Sequence, residues 1–204
     1  MMSVRKRSAD ATAELRATLI EHARALVVRG GPHALTLRAL ANEANCALGL
    51  PYKLFTDRTE IVTEVIRSDL FRFVAAHEEL IDRADTATVA DNILWFTELI
   101  IGSPSVALAS DVFTDEKLAE TVQAVVAEVA PNLRGFEKPI ADYLRAEQRC
   151  GRVDADVDVD AFGFLIAGAM HNLVASGPMY PRPTPAQLQH YIQAVTDKLG
   201  KGEK

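Results

Sequence analysis

The sequence predicts an all-α fold in which a short head of three N-terminal helices precedes a larger helical body. Three observations carry that expectation. Apolar residues recur at three- and four-residue spacing along nearly the whole 204-residue chain, which is the period of a helix face. Helix-starting residues and helix-stopping glycines and prolines punctuate that pattern throughout. Strict apolar–polar alternation, the mark of a strand, occurs only in "RVDADVDVD" before a helix start, and it has no partner strand.

Composition bounds the class of protein. Apolar residues make up 49% and charged residues 25%, the balance of a folded globular chain rather than a disordered one. No stretch reaches the ~18 uncharged apolar residues of a membrane helix, and the charged N-terminus is not followed by the apolar segment of a secretory signal. Cys46 and Cys150 stand far apart in helical patterns. Reduced thiols and a cytoplasmic location are therefore expected, with no membrane partner. The net charge of −6 is unevenly spread: residues 1–58 hold nine Lys and Arg against five acids, and the rest hold thirteen against twenty-three. A basic head on an acidic body is the charge pattern of a nucleic-acid-binding domain joined to a different one.

Each element has its own signals. Helix one is expected from about Ser8 to Arg29, with Leu15, Leu19, Ala23 and Leu26 on one face, ended by Gly30, Gly31 and Pro32. Thr36 is a good N-cap for helix two, whose Leu37, Leu40, Ala41 and Ala44 make a buried stripe. Asn45 suits a left-handed turn, and helix three follows from about Ala47 to Leu54. Asp57 and Glu60 cap a long helix four reaching about Arg83, with Ile61, Val65, Leu70 and Phe73 inward. Helix five is expected over 87–101. Ser103 and Pro104 then supply an N-cap and a first-turn proline for a short helix. Asp115 and Glu116 open the next helix with acids where the helix dipole favours them. Pro131 interrupts, helix resumes to Cys150, and Gly151 stops it. A penultimate helix is expected from about Asp158 to Ser176. After a proline-rich connection, Thr184, Pro185 and Gln187 combine a capping box with a first-turn proline. The last helix carries Leu188, Tyr191, Ile192, Val195 and Leu199 in a stripe, and the final five residues are expected to be disordered.

Two short helices joined by a tight turn behind a longer first helix is the layout of a helix-turn-helix unit. The segment "TLRALANEANCALGLPYKLFTDRTEI" resembles the N-terminal signature of the TetR family of transcriptional regulators, through Thr36, Leu37, Arg38, Leu40, Ala41, Ala44, Tyr52, Phe55, Asp57 and Arg58. The length, the all-helical body and the loop holding Gly151, Val153, Asp156 and Asp158 resemble that family by layout. The chain departs from the pattern at Asn45, where the family has a turn glycine. It departs again at Ala47 and Leu48, where the family often has Ser and then Lys or Arg.

The resemblance implies a DNA-binding domain over 1–58 and a ligand-binding and dimerisation domain over 59–204. It implies a homodimer on palindromic double-stranded DNA, released by a small-molecule effector, with no cofactor. Thr36, Tyr52 and Lys53 would meet phosphates, and Arg38 a phosphate or a base edge. Arg5, Lys6 and Arg7 would form a basic arm along the DNA or in a minor groove. Ala47, Leu48, Gly49 and Leu50 would front the major groove. Leu48, Gly49 and Leu50 cannot hydrogen-bond a base through their side chains, although Leu50 can contact a thymine methyl and Gly49 admits close backbone approach. Arg38, methyl contacts, the arm and DNA shape are therefore expected to carry specificity.

In the body, aromatic and polar-tipped residues on several helices can line an apolar cavity, but for any single one of them core packing is the favoured reading. The resemblance implies a cavity, for which Trp95, Phe113, Tyr143 and His171 are the candidates. The small residues Gly163, Ala167, Gly168 and Ala169 permit close helix approach. With the amphipathic last helix this segment resembles the family's two-fold four-helix interface, for which Phe162, Leu165, Ala169, Leu173, Ile192, Val195 and Leu199 are candidate contacts; internal packing of one subunit is the alternative. No metal or catalytic site is expected. The aspartates at 154, 156, 158 and 160 mimic a calcium loop, but Val159 and Leu165 stand where its glycine and glutamate belong. The histidines and cysteines lack metal-ligand spacing, and no nucleophile–base pair or phosphate loop is present. The function expected is a ligand-responsive repressor. The alternative is a helical ligand-binding or scaffold protein whose head no longer reads DNA.

Overall fold

The computed structural model describes residues 2–131, 135–175 and 182–200, with the side chains of 2–9 and 175 outside the description. Among these residues the structure is helical throughout: α1 (Met2–Gly30), a single 3-10 turn (Pro32–Ala34), α2 (Leu37–Glu43), α3 (Gly49–Leu54), α4 (Arg58–Asp82), α5 (Val89–Ile101), α6 (Pro104–Thr114), α7 (Glu116–Val129), α8 (Glu137–Arg149), α9 (Val159–Ala175) and α10 (Pro185–Thr196). No single helix among them is long and apolar enough to cross a membrane. The expectation for the last five residues falls mostly outside the description.

Most helix ends follow from the predicted chemistry. Thr36, Thr88 and Thr184 each accept an N–H from three residues ahead, and Gln187 completes the box by accepting the Thr184 N–H at 2.9 Å. Asp57, Asp115 and Asp158 do the same for α4, α7 and α9. Ser103 makes no such bond. The first turn of α6 is instead capped from outside, by Asp69 of α4. The α8 terminus closes as a Schellman turn: Gly151, at φ 77°, gives its N–H to Gln148, and Arg152 gives its own to the Glu147 carbonyl.

The chain divides into two compact units, one of Met1–Phe71 with Ser103–Val129, the other of Arg72–Gly102 with Ala130–Lys204. The 58/59 boundary expected from the sequence divides the chain by role; packing divides it elsewhere, because α6 and α7 join the N-terminal helices. The core of the first unit is built on Leu19, Ala23, Val27, Leu35, Leu40, Phe55, Ile61 and Val65. That of the second is built on Phe73, Leu80, Ile93, Phe96, Ile140, Tyr143 and Leu144. Within the second unit α9 packs directly on α8 at Gly163, where an added Cβ would lie 2.9 Å from Ala141 Cβ and 3.1 Å from the Glu137 carbonyl oxygen.

Candidate functional site

The α2–turn–α3 unit is set by its own backbone chemistry. Asn45 takes the left-handed conformation at φ 48°, which asparagine tolerates better than most residues. Around it the Cys46 N–H reaches the Ala41 carbonyl at 3.0 Å and the Asn45 N–H reaches Asn42 at 3.1 Å, a complete Schellman turn. The third helix starts at Gly49, two residues later than predicted, and its N-cap Leu48 offers no side-chain acceptor. Pro51 sits in its first turn, buried, where a missing N–H costs little. Phe55 anchors the end of α3 in the core, 1% exposed.

Arginine side chains then fix this unit to its neighbours. Arg16 of α1 donates to the Leu54 carbonyl at the end of α3, pairs with Glu60 at 2.8 Å, and lies 4.6 Å over the Phe55 ring. Burial pushes the Glu60 carboxyl up, but the Thr56 N–H and Arg16 outweigh it and hold the group below its ordinary value. Arg29 pairs with Glu43 at the end of α2 at 2.6 Å. Arg58 donates to the Pro32 and Leu35 carbonyls and pairs with Asp111 of α6. Arg24 pairs with Asp69.

Four of the head's basic residues are thus neutralised inside the protein. Arg38 and Lys53 stay exposed, with no ionic partner among the described residues. Thr36, Ala47, Leu48, Gly49 and Tyr52 are exposed as well. Thr36 Oγ accepts from the Ala39 N–H at 3.0 Å, which leaves its hydroxyl proton available for a phosphate. Leu48 is 43% exposed and Leu50 only partly so. Leu50, expected to contact a thymine methyl, is thus less accessible than Leu48. Arg5, Lys6 and Arg7 fall in the first turns of α1, and their side chains lie outside the described residues.

The second unit holds an apolar groove of about 420 Å³ walled by α5, α9 and α10. Phe162, Leu165, Ala169, Leu173, Ile192 and Val195, six of the seven expected interface residues, line it. Its two threonines, Thr97 and Thr196, turn their hydroxyls onto carbonyls of their own helices. Around the groove Phe164 and Leu165 are each 63% exposed and Tyr191 52%. Gly168 lies on the same helix, exposed, with nothing within 4 Å of an added Cβ. Leu199, the seventh, differs: it lies beyond α10, wholly buried in its own unit, its carbonyl accepting from the Asp154 N–H at 2.8 Å.

The four cavity candidates lie in different surroundings. Phe113 belongs to the first unit and is largely exposed. Trp95 is half-buried against Phe96, beneath the Arg83 guanidinium at 3.9 Å. His171 is exposed on α9. Tyr143 is fully buried, its hydroxyl engaged with Asn92 and Glu147. None of the four lines the groove.

The backbone of this arrangement is shared with known structures. A protein of Mesorhizobium loti assigned to the TetR family of transcriptional regulators matches 92% of this chain and 96% of its own, with a TM-score of 0.62 at 16% identity. The chain has the TetR-family fold. The ketosteroid transcriptional regulator KstR2 of Mycobacterium tuberculosis carries the TetR fold over 91% of this chain and 95% of its own, with a TM-score of 0.54 at 21% identity. The transcriptional regulator FadR of Bacillus subtilis, solved with stearoyl-CoA, matches 91% and 98%, with a TM-score of 0.52 at 16% identity. Compared by sequence, the chain matches no family model and no curated protein.

Sequence reading missed Arg16 and Asp69. A signal for Asp69 was present: it falls on the apolar stripe of α4, between Ile66 and Phe73. A carboxylate at a buried register position needs a partner. Arg24 sits likewise between Ile20 and Val27 on α1.

Proposed function

We propose that the chain is a TetR-type transcriptional repressor that binds a palindromic operator as a homodimer and is released by a small apolar molecule. The observation that carries this reading is the exposed face of α2 and α3. There Thr36, Arg38, Tyr52 and Lys53 are all exposed, while Arg16, Arg24, Arg29 and Arg58 are paired within the protein. Thr36, Tyr52 and Lys53 take phosphates, Arg38 a phosphate or base edge, and Ala47, Leu48 and Gly49 face the major groove, with Arg5, Lys6 and Arg7 as a basic arm. The two copies meet through α9 and α10, on the apolar face that includes Leu165, Ala169 and Val195, so that two reading helices face one side of the duplex. Such a protein works in the cytoplasm and catalyses nothing.

The effector acts by binding the DNA-incompetent arrangement more tightly, each tenfold of preference supplying about 1.4 kcal/mol. That FadR was solved with stearoyl-CoA, and that KstR2 is a ketosteroid regulator, supports an apolar effector. Of the four candidate residues, Trp95 and His171 keep accessible surface in the second unit and are the first to vary.

A second reading has one observation in its favour. The front of α3 offers Ala47, Leu48 and Gly49, none of which can hydrogen-bond a base through its side chain. A head that no longer reads DNA would leave a helical ligand-binding or scaffold protein. Footprinting on the protein's own upstream DNA separates the two. The repressor reading expects two-fold-symmetric protection that weakens steeply with salt. Equal affinity for random and upstream DNA, or none for either, sinks it.

A further inference from the structure

The groove of about 420 Å³ lies wholly within the second unit. Its floor is core: Ile93, Thr97 and Met170 line it and are buried. Its mouth is surface: Leu165, Tyr191 and Val195 line it and are exposed. A hollow of this size, open on one side and rooted in the core, has the dimensions of a site for a small organic molecule.

The lining selects the class of molecule. It contains no Lys, Arg, His, Asp or Glu. Thr97 and Thr196 donate their hydroxyls to carbonyls of their own helices. Only Asn172 and Tyr191 bring further polar side-chain atoms. An ionised group carried into the groove would give up its water and meet no counter-charge, which is strongly unfavourable. An uncharged molecule with an apolar body avoids that penalty, and a hydroxyl or carbonyl on it can meet the Tyr191 hydroxyl at the mouth.

The same residues have a second claimant. Leu165, Ala169 and Val195 line the groove and also belong to the proposed contact between copies. In a two-fold contact one patch serves both copies. A molecule in either groove therefore covers surface on which the other copy would pack. Leu165 and Val195 make the conflict direct, because each is at once lining and exposed side chain.

We propose that the groove binds an uncharged, apolar small molecule, and that this molecule and the second copy exclude one another. The exclusion rests on the α9–α10 dimer of the reading above. Release from a palindrome then follows from loss of pairing alone: the ligand holds the chain as single copies, and a single copy engages only one half-site.

The test uses the full chain and two probes of one skeleton. N-phenyl-1-naphthylamine is uncharged; 1-anilinonaphthalene-8-sulfonate is the same body with a sulfonate. The neutral probe is expected to bind at one site per chain, about tenfold or more tighter than the anion. Thr97→Met at the floor and Leu188→Phe on the α10 wall both take up groove space, and neither residue is among the proposed dimer contacts. Each is expected to weaken the neutral probe by about tenfold. Equal binding of the two probes, or binding that neither variant weakens, overturns the site. Sedimentation then measures pairing. At a free concentration ten times its own Kd, the neutral probe is expected to raise the dimer dissociation constant about a hundredfold, about tenfold for each of the two chains. A constant that stays the same overturns the exclusion. A constant that falls overturns it too, and makes the second copy a roof over the bound molecule. A chain that is monomeric without any probe overturns the dimer reading and the exclusion with it, while the two probes still decide the site.

Discussion

Asn92 and Tyr143 meet inside the second unit, where the Asn92 amide donates to the Tyr143 hydroxyl at 3.1 Å. The hydroxyl donates onward to Glu147, wholly buried one turn along α8. The other partners of that carboxyl, the Asp85 N–H and Arg152 Nε, are donors too. Tyr143→Phe removes one of them and leaves the Asn92 amide only the Arg83 carbonyl as acceptor. It is expected to cost about 1–3 kcal/mol of stability in a urea titration. Burial first, and then Glu147, pushes the Tyr143 hydroxyl well above its ordinary pKa. The folded state thus holds this proton more tightly than the unfolded state. The stabilisation is whole below about pH 10 and is lost as pH rises beyond it. The gap between wild type and Tyr143→Phe should therefore hold steady at neutral pH and narrow in strong alkali; a gap that widens there refutes the assignment.

Lys53 stands exposed at the end of α3 without an ionic partner among the described residues. Lys53→Ala is expected to weaken binding to operator and random duplex alike. The slope of log affinity against log salt should become shallower by about 0.9 for each phosphate that the lysine had neutralised. A variant that altered sequence preference and left that slope alone would make Lys53 a base reader instead.

Leu48 is exposed and is the apolar front of the proposed reading unit. Contact with a thymine methyl is worth about 0.8 kcal/mol, roughly fourfold in affinity. Replacing single thymines of the operator by deoxyuridine should reveal one position per half-site with that sensitivity, which Leu48→Ala abolishes. Sensitivity that survives in Leu48→Ala assigns the contact elsewhere.

Leu165 is exposed at 63% beside the groove. Leu165→Glu places a charge in the proposed dimer face, where burying it unpaired is prohibitive. Sedimentation is expected to give a monomer with native helical content and no affinity for the palindrome. A dimer that persists would move the interface off α9.

Helix order was legible because its signals are local: the threonine and aspartate caps, Gly31, Asn45 and Gly151 all act within a few residues of themselves. The exposure of Thr36 and Arg38 was legible for the same reason, since a short helix with one apolar stripe has only one way to turn; α3 has no such stripe, and Leu50, expected at its front, is only partly exposed. What could not be read is pairing at a distance. The basic excess of residues 1–58 looked like a DNA-facing charge, yet Arg24 and Arg58 find Asp69 and Asp111, which lie beyond that stretch. Tyr143 by itself read as core and became a cavity candidate only through the resemblance; its partner Asn92 lies 51 residues away, and only the packing of α5 on α8 brings them together. Leu199 kept the stripe of the last helix, but α10 ends at Thr196, and the turns beyond fold it inward.

Gly168 lies bare on the outer side of α9, with open space where a Cβ would be. Alanine in its place would firm the helix by about 1 kcal/mol. Within the single chain this glycine is a weakness without a reason, unlike Gly163, which leaves room for α8. In the proposed dimer the missing methyl is the space into which a second helix settles. Gly168→Ala is then expected to raise the melting temperature of the separated chain while loosening the pair, two opposite signs from one methyl group. If both properties rise together, the space belongs to no partner. On that proposal, the chain gives up some of its own firmness at this position to remain able to join another copy of itself.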